Sequence, residues 1–356
     1  MKKYITFLAA MLLLSVPFAL GAKPRSHIIG FYNLENLFDT YHDEGKNDYE
    51  YLPDGANEWT EAKYQKKLAN MARVIAEMKK DNGVWHTVLG VSEVENRHVL
   101  EDLVSEPAIA EANFQIVHYD GPDRRGVDVA LLYDPSKMTL VESESIPYTF
   151  AGSAIDFGMT PEEQDAFRTR DVLMVHGIID GEHFAFYVCH LPSRLGEKSG
   201  SLRARGGEII YNHFQQMIRQ YPGIKCVVMG DMNDNPTDDS MAVYLRGREK
   251  LEEMVPGDFF SPFLSMLKAG YSSLYYRGDS NIYDCILVSY DLAHAPAGTF
   301  QIVPITKNKY YGRIFSKPFM TNQSGQYKGT PFRTFSNGAF VGGYSDHYPT
   351  YIVIKK

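Results

Sequence analysis

The sequence predicts a layered α/β or α+β domain built on packed sheets, and three observations lead there. Several apolar runs are too uniform to have a wet face, which is how strands buried on both sides read. Other runs are joined by turn dipeptides of the hairpin kind. Two longer segments repeat their apolar residues at helical spacing.

Taken in order, HIIGFYN gives a first strand through Ile28, Ile29 and Phe31 that stops at Asn33. Residues 39–58 are polar and acidic and read as a loop. Thr60 then caps a helix in which Tyr64, Leu68, Met71, Ile75 and Met78 share a face. WHTVLGVSE is a buried strand, followed by a short helix through Val99, Leu100 and Leu103. From Asn113 the texture is β: FQIVHYD, VDVALLYD, MTLVES, DVLMVHGII and HFAFYVCHL. Asp-Gly-Pro-Asp, Asp134-Pro135 and the hairpin candidate Asp180-Gly181 punctuate them. A helix covers residues 199–221, with Leu202, Ile209, Ile210, Phe214 and Met217 on one face. KCVVMGDMND is a buried strand stopping at Gly230, residues 239–270 are helical and irregular, and YDCILVSY and YPTYIVI supply the last strands. No repeat or linker interrupts this series, so residues 25–356 are expected to form one domain.

Residues 1–22 have the layout of a secretory signal peptide: Lys2 and Lys3, an apolar run from Ile5 to Leu20, then small residues with cleavage after Gly21 or Ala22. The run is short for a membrane span, and no cysteine follows to make a lipoprotein, so an exported protein, periplasmic or extracellular, is expected. Cys189, Cys226 and Cys285 all lie in apolar strand-like runs and read as buried hydrophobes without a disulfide. A net charge of -8 excludes a protein that coats nucleic acid through a broadly basic surface. A local basic stretch remains: Lys307, Lys309, Arg313, Lys317, Lys328 and Arg333 fall between Ile305 and Ser345 with no acid among them.

Chemistry concentrates at strand ends, where rigid backbone can hold side chains in position. Asn33 follows IIGFY, Glu93 follows VLGVS, His190 follows FAFYVC, Asp231 and Asn233 follow CVVMG, Asp284 precedes CILVS, and Asp346-His347 precede YPTYIVI. Singly, each is a plausible turn residue or helix-start charge. Together they match one chemistry. Glu93 and Asp346 are hard oxygen ligands that, with Asn33, suit Mg²⁺ or Mn²⁺. The histidines lack the HxH, HExxH or cysteine partners of a zinc site and are left for proton transfer.

These elements resemble those of the endonuclease/exonuclease/phosphatase superfamily, which has the fold of deoxyribonuclease I. GDMNDNPTD is similar to its Gly-Asp-x-Asn element, YSDHYP to its terminal Ser-Asp-His, and YDCILVS to its Asp-x-Ile-Leu strand. VSEVEN resembles its Gln-Glu metal site, with Ser92 in place of Gln, and FYNLENLF its opening Asn. The match runs in the family's order along the whole chain after the leader. It implies an α+β fold, a four-layer αββα sandwich of two packed mixed β-sheets flanked by helices, with the site at one rim. It also implies in-line attack of water on a phosphate ester. In that scheme Glu93 holds the metal with Asn33 and Asp346 in or beside its shell, and Asp284 fixes the tautomer of His347. Asp231 orients or deprotonates the water, Asn233 and His190 contact the phosphate, and either Asp231 or His347 is the base. Arg125, Ser193 and Arg194 are candidate substrate contacts.

Three substrate classes compete. A nuclease needs a basic, aromatic surface beside the site, and the segment from Lys307 to Tyr344 offers Tyr310, Tyr311, Phe315, Phe332 and Phe335 among its basics. A phospholipid or inositol-phosphate phosphodiesterase needs an apolar hairpin or a basic cluster, for which SPFLSMLKAGYSSLYY is the candidate. A phosphomonoesterase needs neither. A nuclease ranks first, these esterases second, and a binding module with a decayed site last, because no strand-end group is missing. No stable protein partner is implied, so a monomer is expected.

Overall fold

The structure, a computed structural model, describes residues 26–196, 199–305 and 310–356. The expected leader and the basic residues Lys307 and Lys309 lie outside the described residues. Among these residues two seven-stranded mixed sheets pack face to face. The first runs β14 (Gln301–Val303), β18 (Thr350–Lys355), β1 (Ser26–Leu37), β2 (Val88–Val94), β4 (Asp128–Tyr133) and β3 (Gln115–His118), with β15 (Gly312–Ile314) also on β18. The second runs β5 (Met138–Ile146), β6 (Val172–Ile179), β7 (Glu182–His190), β8 (Lys225–Asp231), β13 (Asp284–Ser289), β10 (Phe259–Phe260) and β9 (Gly247–Arg248). Two hairpins stand apart, β11 (Leu274–Tyr276) with β12 (Asp279–Asn281), and β16 (Phe335–Ser336) with β17 (Ala339–Phe340). Helices α1 (Glu61–Asn82) and α2 (Arg97–Ser105) cover the outer face of the first sheet; α3 (Pro161–Ala166), α4 (Ser199–Gln220), α5 (Pro262–Lys268) and α6 (Tyr290–Ala293) belong to the second half. This is the expected α+β sandwich.

Alternation along the strands sorts the core into two clusters. On β1, Ile29 and Phe31 join the cluster between the sheets, while Ile28 and Tyr32 join the one beneath α1 and α2. β18 does the same with Ile352 and Ile354 against Tyr351 and Val353. The helical face expected from Tyr64 to Met78 is buried against this second cluster. Thr60 stands at its N-cap in extended conformation, but its side chain makes no capping bond; Asn96 caps α2 by accepting from Val99 N–H. The Asp180-Gly181 pair makes the hairpin turn between β6 and β7 with φ of 45° and 84°. All three cysteines are buried and unpaired.

Two differences from expectation have clear causes. SPFLSMLKAGYSSLYY is not an apolar hairpin: it opens as α5, whose Phe263, Leu264 and Met266 are buried. Most of the aromatics between 310 and 335 pack inward. Phe315 is buried, Tyr310 meets Tyr271 at 5.6 Å, Tyr311 meets Phe260 at 5.1 Å, and Phe335 sits 5.8 Å from Trp59.

The strand pair β7–β8 is unusually close at the end that carries the polar residues. A Cβ at Gly230 would lie 2.1 Å from the carbonyl oxygen of Cys189, a backbone atom that cannot swing aside. Gly230→Ala is expected to cost about 1–3 kcal/mol by forcing the two strands apart. Urea unfolding checks it, and an unchanged midpoint would show that the strands have room to spare.

Candidate active site

Strand parity builds the site. Asn33 follows Phe31 to the inner face of β1, His190 follows Val188 on β7, and Asp231 follows Met229 on β8, each two residues past an inward apolar neighbour. The second sheet then sets three of them side by side, since His190 pairs with Asp231 in the β7–β8 register and Asp231 with Asp284 in the β8–β13 register. Across the gap between sheets, Asn33 Nδ2 donates to Asp231 Oδ2 at 3.0 Å.

Glu93 reaches the site by a bulge. Parity on β2 would send it outward with Leu89 and Val91, but the β2–β4 register shifts between Ser92 and Val94, and Glu93 takes a left-handed φ of 58°. Its Oε1 accepts from Asn33 Nδ2 at 3.2 Å and its Oε2 from the Asn36 backbone N–H at 2.9 Å.

His347 comes from the segment leading into β18. Its Nδ1 lies 2.8 Å from Asp284 Oδ2, which also accepts from the Ser273 hydroxyl at 2.6 Å. That bond leaves Nε2 to face Asp231 Oδ2 at 3.8 Å and Asp346 Oδ1 at 3.7 Å. Ser345 ties the turn down by donating to Asn33 O at 2.8 Å. On the opposite flank His190 Nε2 lies 3.6 Å from Asp231 Oδ2 and 3.9 Å from Glu93 Oε1.

The two imidazoles are driven in opposite directions. For His190, burial and then the charges of Arg170, Arg125 and His347 hold it well below the usual range, hence neutral. Burial works the same way on His347, but the Asp284, Asp231 and Asp346 carboxylates outweigh it and hold the imidazolium well above that range. Asp231, between them, is pushed up to about 6, chiefly by burial. Two like groups forced apart in protonation are a mark of acid–base chemistry.

A cation fits this donor set. Glu93, His190 and Asp231 offer ligand atoms within 4.8 Å of one another, as do Asp231, Asp284 and His347. The Glu93 and Asp231 carboxylates make no ion pair with lysine or arginine among the described residues, and hard oxygen donors suit Mg²⁺ or Mn²⁺. Asn33 braces the set: its amide nitrogen goes to both carboxylates, while its oxygen accepts from Glu35 N–H at 2.8 Å. Asp346 belongs to neither group. Its Oδ2 is 3.0 Å from Arg333 Nη2.

The remaining expected residues sit as follows. Asn233 has a left-handed φ of 49° and donates from its side chain to Leu191 O at 3.0 Å, next to His190. Arg125 is half exposed, with Nε 3.7 Å from Asp123 Oδ1, yet near enough for its charge to act on His190. Ser193 is exposed, and Arg194 is engaged with Asp238 at 3.2 Å and the Tyr283 hydroxyl at 3.1 Å. Arg313 and Lys317, expected in a basic track, both pair with Asp81.

Several supporting residues were not anticipated from the sequence. Arg170, buried, donates to the carbonyls of His190 and Leu191 and pairs with Asp123 at 3.1 Å, pinning the end of β7. Glu35 accepts from Arg333 Nε at 3.0 Å and Thr334 N–H at 2.7 Å. Behind it the fully buried ammonium of Lys67 lies 3.8 Å from Glu35 and donates to Thr334 Oγ1 and Tyr344 O, both at 2.6 Å. Burial first, then the Asp346 charge, raises the Glu35 carboxyl, while Lys67 and Arg333 oppose the rise. The chain Lys67–Glu35–Arg333–Asp346 thus runs from the core of α1 to the edge of His347. Lys67 carried a readable signal, because it falls on the apolar face between Tyr64 and Met71. Lys67→Met should cost about 3 kcal/mol by leaving Glu35 short of a buried cation. Thermal unfolding tests this, and an unchanged melting temperature would mean that Arg333 satisfies Glu35 alone.

The comparisons with known proteins agree with this fold. A crystal structure of an endonuclease/exonuclease/phosphatase family protein from Bacteroides thetaiotaomicron superposes with a TM-score of 0.55 at 16% identity, covering 94% of this chain and 98% of that one. The B. thetaiotaomicron mannosyl-6-phosphatase gives 0.53 at 16%, covering 93% and 98%. D. rerio TDP2 complexed with a single-strand DNA product gives 0.51 at 15%, covering 93% and 99%. At such identities the likeness is one of fold. No curated protein matches the sequence. The family model described as Endonuclease/Exonuclease/phosphatase family matches residues 28–356, nearly the whole described chain, and the protein belongs to that family of phosphate-ester hydrolases.

Proposed function

We propose that the protein is a divalent-metal phosphodiesterase that cleaves nucleic acid by in-line attack of water on phosphorus. The observation that carries this reading is the buried Asp231 carboxylate set between a neutral and a cationic imidazole, with Glu93 alongside. Glu93 and Asp231, braced by Asn33, would hold Mg²⁺ or Mn²⁺, with Asp346 at the margin. The ion, when bound, offsets phosphate charge and makes a water easier to deprotonate. Asp231 orients that water and takes its proton. His347, its Nδ1 held by Asp284, presents Nε2–H to a phosphate oxygen. His190 and Asn233 face the phosphate from the other flank. Arg125 is the best placed of the substrate-side residues, while Arg194 and the nearby Ser193 would reach substrate once Arg194 leaves Asp238. The lysine-led leader supports export to the periplasm or beyond, where scavenging nucleic acid is useful.

One observation favours a second reading. Arg313 and Lys317 are paired with Asp81, which weakens a long backbone track and suits a phosphomonoesterase acting on a compact substrate. A lipid-directed esterase has less support, because the apolar residues of 262–266 are buried in α5.

Purified mature protein with Mg²⁺ or Mn²⁺ should hydrolyse bis-p-nitrophenyl phosphate and plasmid DNA or RNA faster than p-nitrophenyl phosphate, and EDTA should abolish the activity. His347→Ala should lower the rate about 10²- to 10³-fold, the usual loss of a preorganised donor. A wild-type rate no higher than that of the variant sinks the enzyme reading, and a preference for the monoester selects the second one. Glu93→Gln should shift the Mg²⁺ titration of activity to about 10–100-fold higher concentration. An unmoved titration would place the ion elsewhere.

A further inference from the structure

We propose that the cleft beside His347 is a subsite for an unpaired nucleotide flanking the scissile phosphate, so that the preferred substrate is single-stranded nucleic acid. This rests on the phosphodiesterase reading above. The cleft has a volume of about 610 Å³ and lies between the β11–β12 turn and the segment 322–341. Asp346 closes it on the site side, with its Oδ1 3.7 Å from His347 Nε2, so whatever occupies the cleft abuts the reacting phosphate.

Its chemistry is aromatic and cationic. Tyr275 and Tyr327 line it and are each 44% exposed, unlike most aromatics of the C-terminal segment, which pack into the core. Tyr327 is preset, because its hydroxyl donates to Asn337 Oδ1 at 3.3 Å, so little side-chain freedom remains to be lost on stacking. Arg277 projects from the turn at a left-handed φ of 53°, and Lys328 follows Tyr327 in sequence. Neither makes an ion pair with a carboxylate among the described residues, whereas the acid of the lining, Asp346, is engaged with Arg333. The cleft therefore offers ring faces next to positive charge that no carboxylate neutralises: Lys328, and Arg277 with its guanidinium 5.2 Å from the centre of the Tyr276 ring. That pairing suits a nucleotide, whose base stacks on the rings while a neighbouring phosphate meets the cations. Bases within a duplex keep their faces covered by their neighbours, so such rings serve an unstacked strand. Gln326 and Asn337 supply amides to the base edge, whereas the Asn322 amide nitrogen is held by Thr330 and Pro331.

The test is fluorescence anisotropy of the full mature protein with a labelled oligothymidylate and with the corresponding duplex, in EDTA so that nothing is cleaved. Wild type should bind the single strand more tightly than the duplex. Changing Tyr275 and Tyr327 together to Ala should weaken single-strand binding about tenfold, whereas changing both to Phe should preserve it. Lys328→Gln should reduce the slope of log affinity against log salt by about 0.7, the loss of one phosphate contact. Equal affinity for duplex, or an Ala pair that binds like wild type, overturns the subsite. Hydrolysis of bis-p-nitrophenyl phosphate by wild type reads the catalytic centre separately: activity there with no effect of the Ala pair removes the cleft assignment alone. Absence of ester hydrolysis removes the phosphodiesterase reading, and the anisotropy still decides what the cleft binds.

Discussion

The carbonyl of Cys189 lies so near the Cα of Gly230 that no side chain can stand between them, and this contact governs the spacing of the chemistry. It holds the ends of β7 and β8 together one residue before His190 and Asp231, which the parallel register makes direct neighbours. The antiparallel partner β13 then adds Asp284 in the same row. Three side chains on adjacent strands gain their mutual distances from sheet geometry and owe nothing to loops. The first sheet contributes Asn33 and Glu93 from above, so the cleft between sheets becomes the cleft of the site.

Burial makes this arrangement electrically demanding. Asp231, Asp284 and Glu93 crowd into a region that water barely reaches, and each must find a partner or give up its charge. Asp284 finds the His347 imidazolium and the Ser273 hydroxyl. Asp231 shares the His347 imidazolium at 3.8 Å with Asp284, and Glu93 finds only neutral Asn33, the neutral His190 and a backbone N–H, so three carboxylates have one cation between them. The Lys67–Glu35–Arg333–Asp346 chain shows the opposite economy, with charges alternating in sign from the core of α1 to the rim. One set is balanced by the protein itself, and the other has the excess of negative charge that suits a cation.

The parts of this legible in the sequence share one property: they are local. A polar residue at the edge of a buried apolar run announces a strand mouth, after the run for Asn33, His190 and Asp231 and before it for Asp284. Glu93 reads as a strand end in the sequence, but the structure makes it a bulge within β2, and a one-residue register shift leaves no mark on composition. Arg333 and Lys67 meet Glu35 across 298 and 32 residues, and no periodicity links such positions. The aromatic run from Tyr310 to Phe335 misled for a related reason, since inward and outward rings look alike until the fold decides which side they face. The Thr160-to-Glu163 capping box of α3 is equally local, spelled by TPEE.

Glu35, Asn36, Glu93 and Asn233 all adopt left-handed backbone without being glycine, and all four lie around the row of His190, Asp231 and Asp284. Each costs about 1–2 kcal/mol relative to a relaxed conformation, so the rim stores conformational energy that the packed sheets underwrite. Glycine would relax the backbone at Asn36 and Asn233, but at Glu35 it would strand the buried Lys67 ammonium and at Glu93 it would remove a carboxylate of the site. Relief of backbone strain and retention of the side chains thus pull against each other at Glu93 and Asn233, and selection for robustness alone would erode those two positions first.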